Sequence, residues 1–233
     1  DLIIVLWGKR PDFHRLPCGV FKGELLEKVN QWHKVVYVDG SEKTASGYFP
    51  ISCRIARKTF PKLKKIFQSK TINKKIFFKV ATYFKRECSK YHLKKGIYPI
   101  SFGINVRDSL SFSERTNDFF VGFGQLETGL RQRVSDLSRE QALHSGYKFS
   151  IHSSLNPERY YAELSRSRVA VDCFGGGEMN FRRFEILAFG TCLLAEKSSI
   201  IYPVPFIHGK HLFEFSTVAE FKCLLDYLLE NPC

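Results

Sequence analysis

The second half of the chain alternates short apolar segments with longer amphipathic ones. The apolar segments are bounded by glycine or polar residues, which predicts buried strands. Two of the amphipathic segments begin with a capping signal: Asn156 precedes Pro157, and Thr217 precedes Glu220 by three residues. Strands that alternate with helices of this length indicate a parallel sheet covered on both faces. The predicted elements are strands at 117–124, 147–152, 168–174, 191–196 and 211–215, and helices at 128–144 and from residues 157, 180 and 218.

The first half is less regular. Strands at 2–7 and 34–39 flank a helical stretch around residues 21–31, and residues 75–87 read as a strand that enters a charged turn. Residues 96–116 read as a linker. We therefore predict an α/β protein with two Rossmann-like domains that face a cleft, residues 1–105 and 106–233.

Composition narrows the class of protein. With 233 residues, 44% of them hydrophobic, the chain can bury a substantial core, and no apolar run approaches the roughly 20 residues that span a bilayer. The seven cysteines form no C-x-x-C pair, which argues against a zinc site and a disulfide framework and favours a reducing, cytoplasmic compartment. Cys173, Cys192 and Cys223 lie in apolar runs and are predicted to be core residues.

The chain is strongly basic, with a formal charge of +13 and a pI near 9.4. This balance favours anionic partners: nucleic acid, an anionic membrane surface or phosphorylated small molecules. Much of the excess lies in residues 54–95, which would attract an anionic acceptor or allow peripheral association with a membrane. No aromatic–basic interleaving favours nucleic acid, and the first strand lacks the G-x-G-x-x-G of nicotinamide dehydrogenases.

Gly175, Gly176 and Gly177 stand between a predicted strand and a predicted helix. Backbone N–H groups of a glycine turn can approach a ligand closely, and the start of a helix adds partial positive charge. In an open parallel sheet, ligands bind beyond the carboxyl ends of the strands. The glycines match neither a dinucleotide-binding nor a Walker A pattern, so a tight turn with a packing role remains an alternative to an anion site.

Two arginines follow, in the first turn of the helix that Asn180 would cap. A cation there is unfavourable by about 0.3–1 kcal/mol unless a negative group offsets it, and either Glu178 or a bound anion could do so. At about 100° per residue Arg182 and Glu185 share one face of the helix, while Arg183 points elsewhere. A phosphate for Arg182 and a hydroxyl group for Glu185 would satisfy both. The predicted core-facing stripe consists of Phe181, Phe184, Leu187 and Ala188.

A second strand–glycine–helix passage contains Gly122 and Gly124, which could line the same cleft. Arg131 or Arg133 could then reach a phosphate, although a solvated helix face explains both arginines equally well.

Lys210 and His211 follow a later strand, and a lysine beside a leaving diphosphate would stabilise its developing charge. An ordinary loop position is the alternative for His211. His14 and Asp39, each after a strand of the first half, are candidates for a general base, and an Asp-Gly turn is the simpler explanation of Asp39.

The segment around the arginines resembles a known family. The sequence is similar to the C-terminal half of bacterial group 1 glycosyltransferases, especially the spore-protein CgeB-like branch, over residues 117–231 and more loosely over 83–104. An N-x-R-x-F-E-x-x-A-x-G signature carries the resemblance, through Asn180, Arg182, Phe184, Glu185, Ala188 and Gly190.

The resemblance implies a GT-B fold, in which the C-terminal Rossmann-like domain holds most of a nucleotide-sugar donor and an abbreviated N-terminal domain faces the acceptor. The residue matching Glu185 would hold the ribose hydroxyls, and Arg182 would face the diphosphate. Many retaining members carry two glutamates separated by seven residues, whereas Glu178 and Glu185 have six between them. Retention or inversion of the sugar's configuration therefore stays open.

We thus predict a metal-independent, hexosyl-type glycosyltransferase with a nucleotide sugar as co-substrate, no other cofactor, and a glycan, lipid or protein acceptor. The alternatives are a catalytically incomplete transferase-like protein that binds a nucleotide or glycan, and a basic nucleic-acid-binding protein. The predicted catalytic residues are Arg182, Glu185 and Lys210. The predicted donor-binding residues are Gly122, Gly124, Arg133, Gly175, Gly176, Gly177, Glu178, Asn180 and His211.

Overall fold

The computed structural model describes residues 3–7, 35–40, 77–78, 80–104, 114–124, 129–175 and 177–231. The chain divides into two compact units. The first unit comprises residues 1–101, 176–179 and 199–205, and the second comprises 102–175, 180–198 and 206–233. Each unit is built on a parallel sheet, so the protein is α/β, as predicted. The predicted helix at 21–31 and the candidate base His14 lie outside the described residues.

The first unit contains a four-stranded parallel sheet in the order β1-β2-β3-β4. Alternate residues of β2 are buried, and Tyr37 packs with Tyr83 and Ile97 in a small core. The fourth strand corrects the prediction that residues 96–116 form a linker, because residues 97–99 pair with β3. The elements are β1 (Ile3–Trp7), β2 (Val35–Asp39), β3 (Thr82–Lys85), α1 (Lys90–Leu93) and β4 (Ile97–Pro99).

The second unit contains a five-stranded parallel sheet in the order β6-β5-β7-β8-β9. The alternation of strands and helices predicted for residues 117–231 is confirmed, with ends shifted by a few residues. The strands are β5 (Asn117–Gly122), β6 (Phe149–His152), β7 (Ser167–Asp172), β8 (Cys192–Glu196) and β9 (Phe213–Phe215). The helices are α2 (Leu130–His144), α3 (Pro157–Ser165), α4 (Phe181–Ala188) and α5 (Val218–Glu230).

Both faces of this second sheet are buried. Phe119 and Val121 of β5 join a core cluster with residues of α2 and α5, while Phe120 between them joins a second cluster with residues of α3 and α4. Successive side chains of a strand point to opposite faces, so a strand covered on both sides must be apolar at nearly every position. This explains why the central strands read as continuous apolar runs. Among the described helices, none combines the length and apolar character needed to cross a membrane.

The predicted helix caps are present, with one difference in detail. Asn156 Oδ1 accepts a hydrogen bond from Arg159 N at 2.9 Å, and Thr217 Oγ1 accepts one from Glu220 N at 3.1 Å. Such a cap contributes about 1 kcal/mol. In the predicted capping box, the Glu220 carboxylate would accept a hydrogen bond from the backbone N–H of Thr217. It instead accepts one from Ser216 N, one residue earlier, at 2.6 Å.

Arg115, just before β5, ties together the ends of α3 and α4. Its guanidinium donates to the carbonyl oxygens of Ser165 and Phe189, both at 2.8 Å, and to Thr191 Oγ1 at 2.9 Å. Gly190, with φ of +63°, follows α4 in the left-handed region that glycine tolerates best. Burial lowers the pKa of Arg115, but a guanidinium remains charged and suits the negative ends of two helices. This contact helps to set the position of α4.

Candidate functional site

The second unit has a switch in its strand order between β5 and β7. From β5 the chain moves to β6 on one side, then returns to β7 on the other and continues outward. In open parallel sheets, ligands bind beyond the carboxyl ends of the strands at this switch. Gly122 ends β5 and Asp172 ends β7, so the residues that follow them, with side chains from α2 and α4, form the candidate site.

Asp172 forms ion pairs with both arginines at the start of α4. The Nε atom of Arg183 donates to Asp172 Oδ2 at 3.0 Å, and its Nη2 atom donates to the carbonyl of Glu196 at 2.8 Å. Arg182 Nη1 lies 3.9 Å from Asp172 Oδ1, an ion-pair distance that is too long for a hydrogen bond. Sequence reasoning named Glu178 as the group in the chain that could offset these charges. The sequence does carry a signal for the true partner, because Asp172 is the only acidic residue at the end of the apolar run 168–172.

The orientation of α4 differs from the prediction. Its fully buried side chains are Arg183 and Ile186, whereas Phe181 is 53% exposed and stacks on Phe102 with ring centroids 3.8 Å apart. The prediction that Phe181 faces the core is therefore wrong, whereas Leu187 of the same predicted stripe packs against the core. Arg183 turns inward because its partner Asp172 lies at the end of a central strand.

Asn180 caps α4, as predicted. Its Oδ1 atom accepts from Arg183 N at 3.4 Å, and its Nδ2 atom donates to the carbonyl of Cys173 at 3.4 Å. The cap therefore joins the start of α4 to the end of β7.

Two guanidinium groups converge on one aromatic ring at the switch point. The Cζ atom of Arg131 lies 5.1 Å from the centroid of Phe123, and that of Arg182 lies 5.2 Å from it. Such contacts contribute about 1–2 kcal/mol when desolvated. Arg131 Nη2 also donates to the carbonyl of Cys173 at 3.0 Å. Of the two arginines that the sequence offered from α2, Arg131 occupies this position and Arg133 is exposed.

The glycines near the switch point have different surroundings. A Cβ atom on Gly175 would lie 3.0 Å from Arg131 Nη2, so the missing side chain lets the guanidinium approach the backbone. A Cβ atom on Gly122 would lie 2.5 Å from Phe120 Cζ, which is a packing requirement, and one on Gly124 would meet no atom of the described residues within 4 Å. Gly176 lies outside the described residues, and Gly177 is half-buried.

Glu185 lies on α4 beside two tyrosines of α3. Tyr161 Oη donates to Glu185 Oε1 at 3.1 Å. Burial raises the pKa of Tyr160, Arg182 lowers it, and the negative charge of Glu185 raises it, which puts these three side chains in one electrostatic cluster. The Arg182 side chain keeps 16% of its surface exposed, and Glu185 is half-buried. The predicted pair therefore retains access to solvent.

Glu178 and the segment around it belong to the first unit. The Glu178 carboxylate accepts hydrogen bonds from Ser199 N at 2.6 Å and Ser199 Oγ at 2.8 Å. Its backbone N–H, together with that of Met179, donates to Glu87 Oε1 at 2.8 and 3.3 Å. Burial raises the pKa of Glu87, and the two N–H groups and Arg86 oppose the shift. Sequence reasoning missed Glu87, which lies in the weaker upstream part of the resemblance.

Lys210 and His211 lie in a tight turn before β9, at exposed positions. His211 Nδ1 accepts from Ile207 N at 3.1 Å, and the neighbouring His208 Nδ1 accepts from Glu214 N at 3.0 Å. These bonds give each imidazole a role in holding the loop. They leave the Lys210 ammonium at the surface of the turn. The assignment of Lys210 and His211 to donor chemistry remains a prediction.

The parallel sheet, its covering helices and the cationic groups at its switch point are those of a Rossmann-like α/β domain, a class that binds phosphorylated ligands at this position. Residues 129–233 match a protein family described as glycosyl transferase-like. The match includes Arg131, Asp172, Arg182 and Glu185. Comparison with curated proteins gives no match. The similarity thus supports a transferase of the glycosyl transferase-like kind, and the CgeB-like branch remains a prediction.

Proposed function

We propose that this protein is a glycosyltransferase that moves a sugar from a nucleotide-activated donor to an acceptor. The observation that carries the proposal is the convergence of Arg131 and Arg182 on Phe123, at the carboxyl ends of β5 and β7. Both arginines fall within the segment that is similar to the glycosyl transferase-like family. In this proposal the chain has a GT-B arrangement, with residues 1–105 on the acceptor side.

The charges of the switch-point site suit a leaving diphosphate. Asp172 is engaged closely by Arg183, at 3.0 Å, and more distantly by Arg182. The buried Nε atom of Arg182 has no hydrogen-bond partner among the described residues. When the bond between sugar and phosphate breaks, negative charge develops on the diphosphate, and fixed cations that need no rearrangement stabilise it. Arg182 and Arg131 supply that charge in the proposal, with Lys210 as a further cation.

Glu185 would orient the donor's nucleoside. A carboxylate can accept hydrogen bonds from two vicinal hydroxyl groups of a ribose. The hydrogen bond from the Tyr161 hydroxyl holds Glu185 on the same face of α4 as Arg182. Gly175 would allow the donor to approach the backbone beside Arg131. We further propose catalysis without a protein-bound metal, in the cytoplasm, with the basic segment 54–95 drawing the protein to an anionic acceptor or membrane.

The test is binding of nucleoside diphosphates followed by a turnover assay. Uridine, guanosine, adenosine and thymidine diphosphates are screened by thermal shift, because a ligand at about one hundred times its Kd stabilises the folded state by about 2.7 kcal/mol. At least one should raise the Tm. Arg182→Ala should weaken that ligand at least about tenfold through loss of a charge-assisted contact, and Glu185→Ala should also weaken it. Arg139→Ala, an exposed residue of α2, is the matched control.

The outcomes separate the alternatives. No stabilisation by any nucleoside diphosphate, or stabilisation that Arg182→Ala and Glu185→Ala leave unchanged, would contradict the proposal. Binding without hydrolysis or transfer across a panel of nucleotide sugars would indicate a transferase-like protein that has lost turnover. Oligonucleotide binding that falls steeply with salt and ignores Arg182→Ala would indicate the nucleic-acid-binding alternative.

A further inference from the structure

A pocket of about 420 Å³ lies at the edge of the second unit's sheet, beside β6 and α3. Its polar lining includes Asn117, Ser150, His152 and Glu163, with Lys148 and Arg166 at exposed positions. Pockets of this volume accommodate small molecules. The Glu163 carboxylate, which is bonded to Asn117, lies at the amino end of β5, whereas the switch-point site lies at the carboxyl end. The pocket also includes His152, whose partner in the sheet is Gly122. Asn117 is the first residue of β5 and Gly122 the last, and at about 3.3 Å per residue they are separated by roughly 17 Å.

The pocket arises from the alternation of side chains along the edge strand β6. Phe149 and Ile151 pack against the apolar cluster that contains residues of α2 and α5. Ser150 and His152 therefore point to the opposite face. On that face α3 packs against β5 and β7, and Glu163 of α3 reaches the polar side chains of the edge strand.

The polar side chains in the pocket are already joined in a network. Glu163 Oε2 accepts hydrogen bonds from Asn117 Nδ2 at 3.0 Å and from Ser150 Oγ at 2.7 Å. Ser150 Oγ also lies 3.0 Å from His152 Nε2. Because the single hydroxyl proton of Ser150 is used toward Glu163, the bond to His152 assigns a proton to Nε2. Ser150 is only 9% exposed and Asn117 only 6%, so the network holds the Glu163 carboxylate in a defined position.

The charge around the network is positive overall. Lys148 and Arg166 line the pocket together with a single carboxylate, that of Glu163. The nearby Asp118 is engaged elsewhere, since its carboxylate pairs with Arg168 at 2.8 Å and accepts from Lys148 N at 2.8 Å. A ligand that suits this lining has an anionic group for the two cations and hydroxyl groups for the carboxylate, the amide and the imidazole.

We propose that this edge-strand pocket is a second ligand site, which binds a monosaccharide that carries a phosphate or carboxylate group. Lys148 and Arg166 bind the anionic group, and Glu163, fixed by Ser150 and Asn117, accepts the sugar hydroxyls. The residues that carry the site differ from those of the cluster around Arg182, so the two sites can be tested separately. An anionic sugar bound here acts as a regulatory ligand, and binding itself is the property to test.

Isothermal titration calorimetry with glucose 6-phosphate, glucuronate, glucose and inorganic phosphate tests this site on the full chain. We expect glucose 6-phosphate or glucuronate to bind more tightly than glucose and phosphate, because neither control offers both groups. Glu163→Gln should weaken the tighter probe about tenfold, since the charge-assisted bonds to hydroxyls are lost. Lys148→Ala, at an exposed position that does not threaten folding, should remove the preference for the anionic sugars. Glu158→Gln, at an exposed position of the same helix, is the matched control.

The proposed donor site and the edge-strand pocket can be refuted independently of each other. Arg182→Ala should leave glucose 6-phosphate binding unchanged, and Lys148→Ala should leave nucleoside diphosphate binding unchanged. The proposal is overturned if neither anionic sugar binds at about 10 mM, a very weak limit of affinity. It is also overturned if Lys148→Ala and Glu163→Gln have no effect in a folded sample, or if Arg182→Ala abolishes binding of the sugar.

Discussion

Arg183 Nε lies 3.0 Å from Asp172 Oδ2, and the two side chains are 1% and 0% exposed. Removing one partner of such a buried pair leaves an uncompensated charge, which costs about 3–5 kcal/mol. We therefore expect Asp172→Ala to lower the free energy of unfolding by about that amount, as measured by urea denaturation. The double variant Asp172→Leu with Arg183→Met should recover part of the loss, because it removes the buried charge of Arg183 together with that of Asp172.

The exposed pair Lys222–Asp226 on α5 is the control for this prediction. Its atoms lie 2.7 Å apart, closer than those of the buried pair, but the side chains are 49% and 37% exposed. Asp226→Ala should cost far less than Asp172→Ala, because solvent and salt screen an exposed pair. Equal losses of unfolding free energy in Asp172→Ala and Asp226→Ala would show that the buried pair contributes no more to stability than the exposed one.

Gly122 and Gly124 are predicted to respond differently to the same substitution. A new Cβ atom at Gly122 would lie 2.5 Å from Phe120 Cζ and 3.0 Å from Tyr160 Cε2. Gly122→Ala should therefore destabilise the protein by about 1–3 kcal/mol through overpacking. At Gly124 no atom from the described part of the chain lies within 4 Å of the new atom, so the free protein should keep its stability within about 0.5 kcal/mol.

Thermal denaturation of both variants, with and without the best nucleoside diphosphate, checks this. If Gly124 lines the donor site, Gly124→Ala reduces the stabilisation by ligand while the Tm of the free protein is retained. Similar Tm losses in the two free variants would refute the steric argument.

Glu87 should make stability depend on pH in an unusual direction for a carboxylate. Burial raises its pKa above the ordinary value of 4.5, so the folded state binds the proton more tightly than the unfolded state. The stability contributed by Glu87 is then fully present below the ordinary pKa and is lost as pH rises through the raised one. In Glu87→Gln, an amide oxygen can still accept from the N–H groups of Glu178 and Met179, but no proton is taken up.

Unfolding free energies measured across this pH window should show the wild type losing stability relative to Glu87→Gln as pH rises, with a constant difference above the window. A difference between wild type and Glu87→Gln that does not change with pH would contradict the raised pKa.

Cysteine reactivity should follow burial. Burial raises the pKa of Cys88 to about 11, and it raises that of Cys173 well above its ordinary value. Cys223 is exposed, so its assignment to the core was wrong, whereas Cys173 is buried as predicted. Because the thiolate is the reactive form, iodoacetamide at about pH 8 should modify Cys223 at least about tenfold faster than Cys88 or Cys173 in the native protein. Peptide mapping by mass spectrometry measures the rates, and denatured protein, in which all three thiols should react alike, is the control.

Local signals explain how much of the second unit was predictable from sequence. Asn156 and Thr217 cap helices through contacts only three residues away, so the order of residue types is enough to reveal them. The central strands of this unit are apolar on both faces, which also shows in the sequence itself. The short strand β4 has no such local signal, because its three residues form a strand only by pairing with β3. Each of its residues pairs with the residue fourteen positions earlier in the chain.

The sequence alone determined the alternation of strands and helices, their caps and the place of a candidate anion site after β7, because each depends on residues close together in the chain. Only the tertiary structure decided which side chains of that site point where. Helical periodicity placed Phe181 of α4 inward, but Arg183 is buried instead, because its partner Asp172 lies at the end of a central strand. That Arg131 rather than Arg133 contacts Phe123 likewise depends on how α2 packs against the sheet. The spacing of residues within one helix does not reveal this packing.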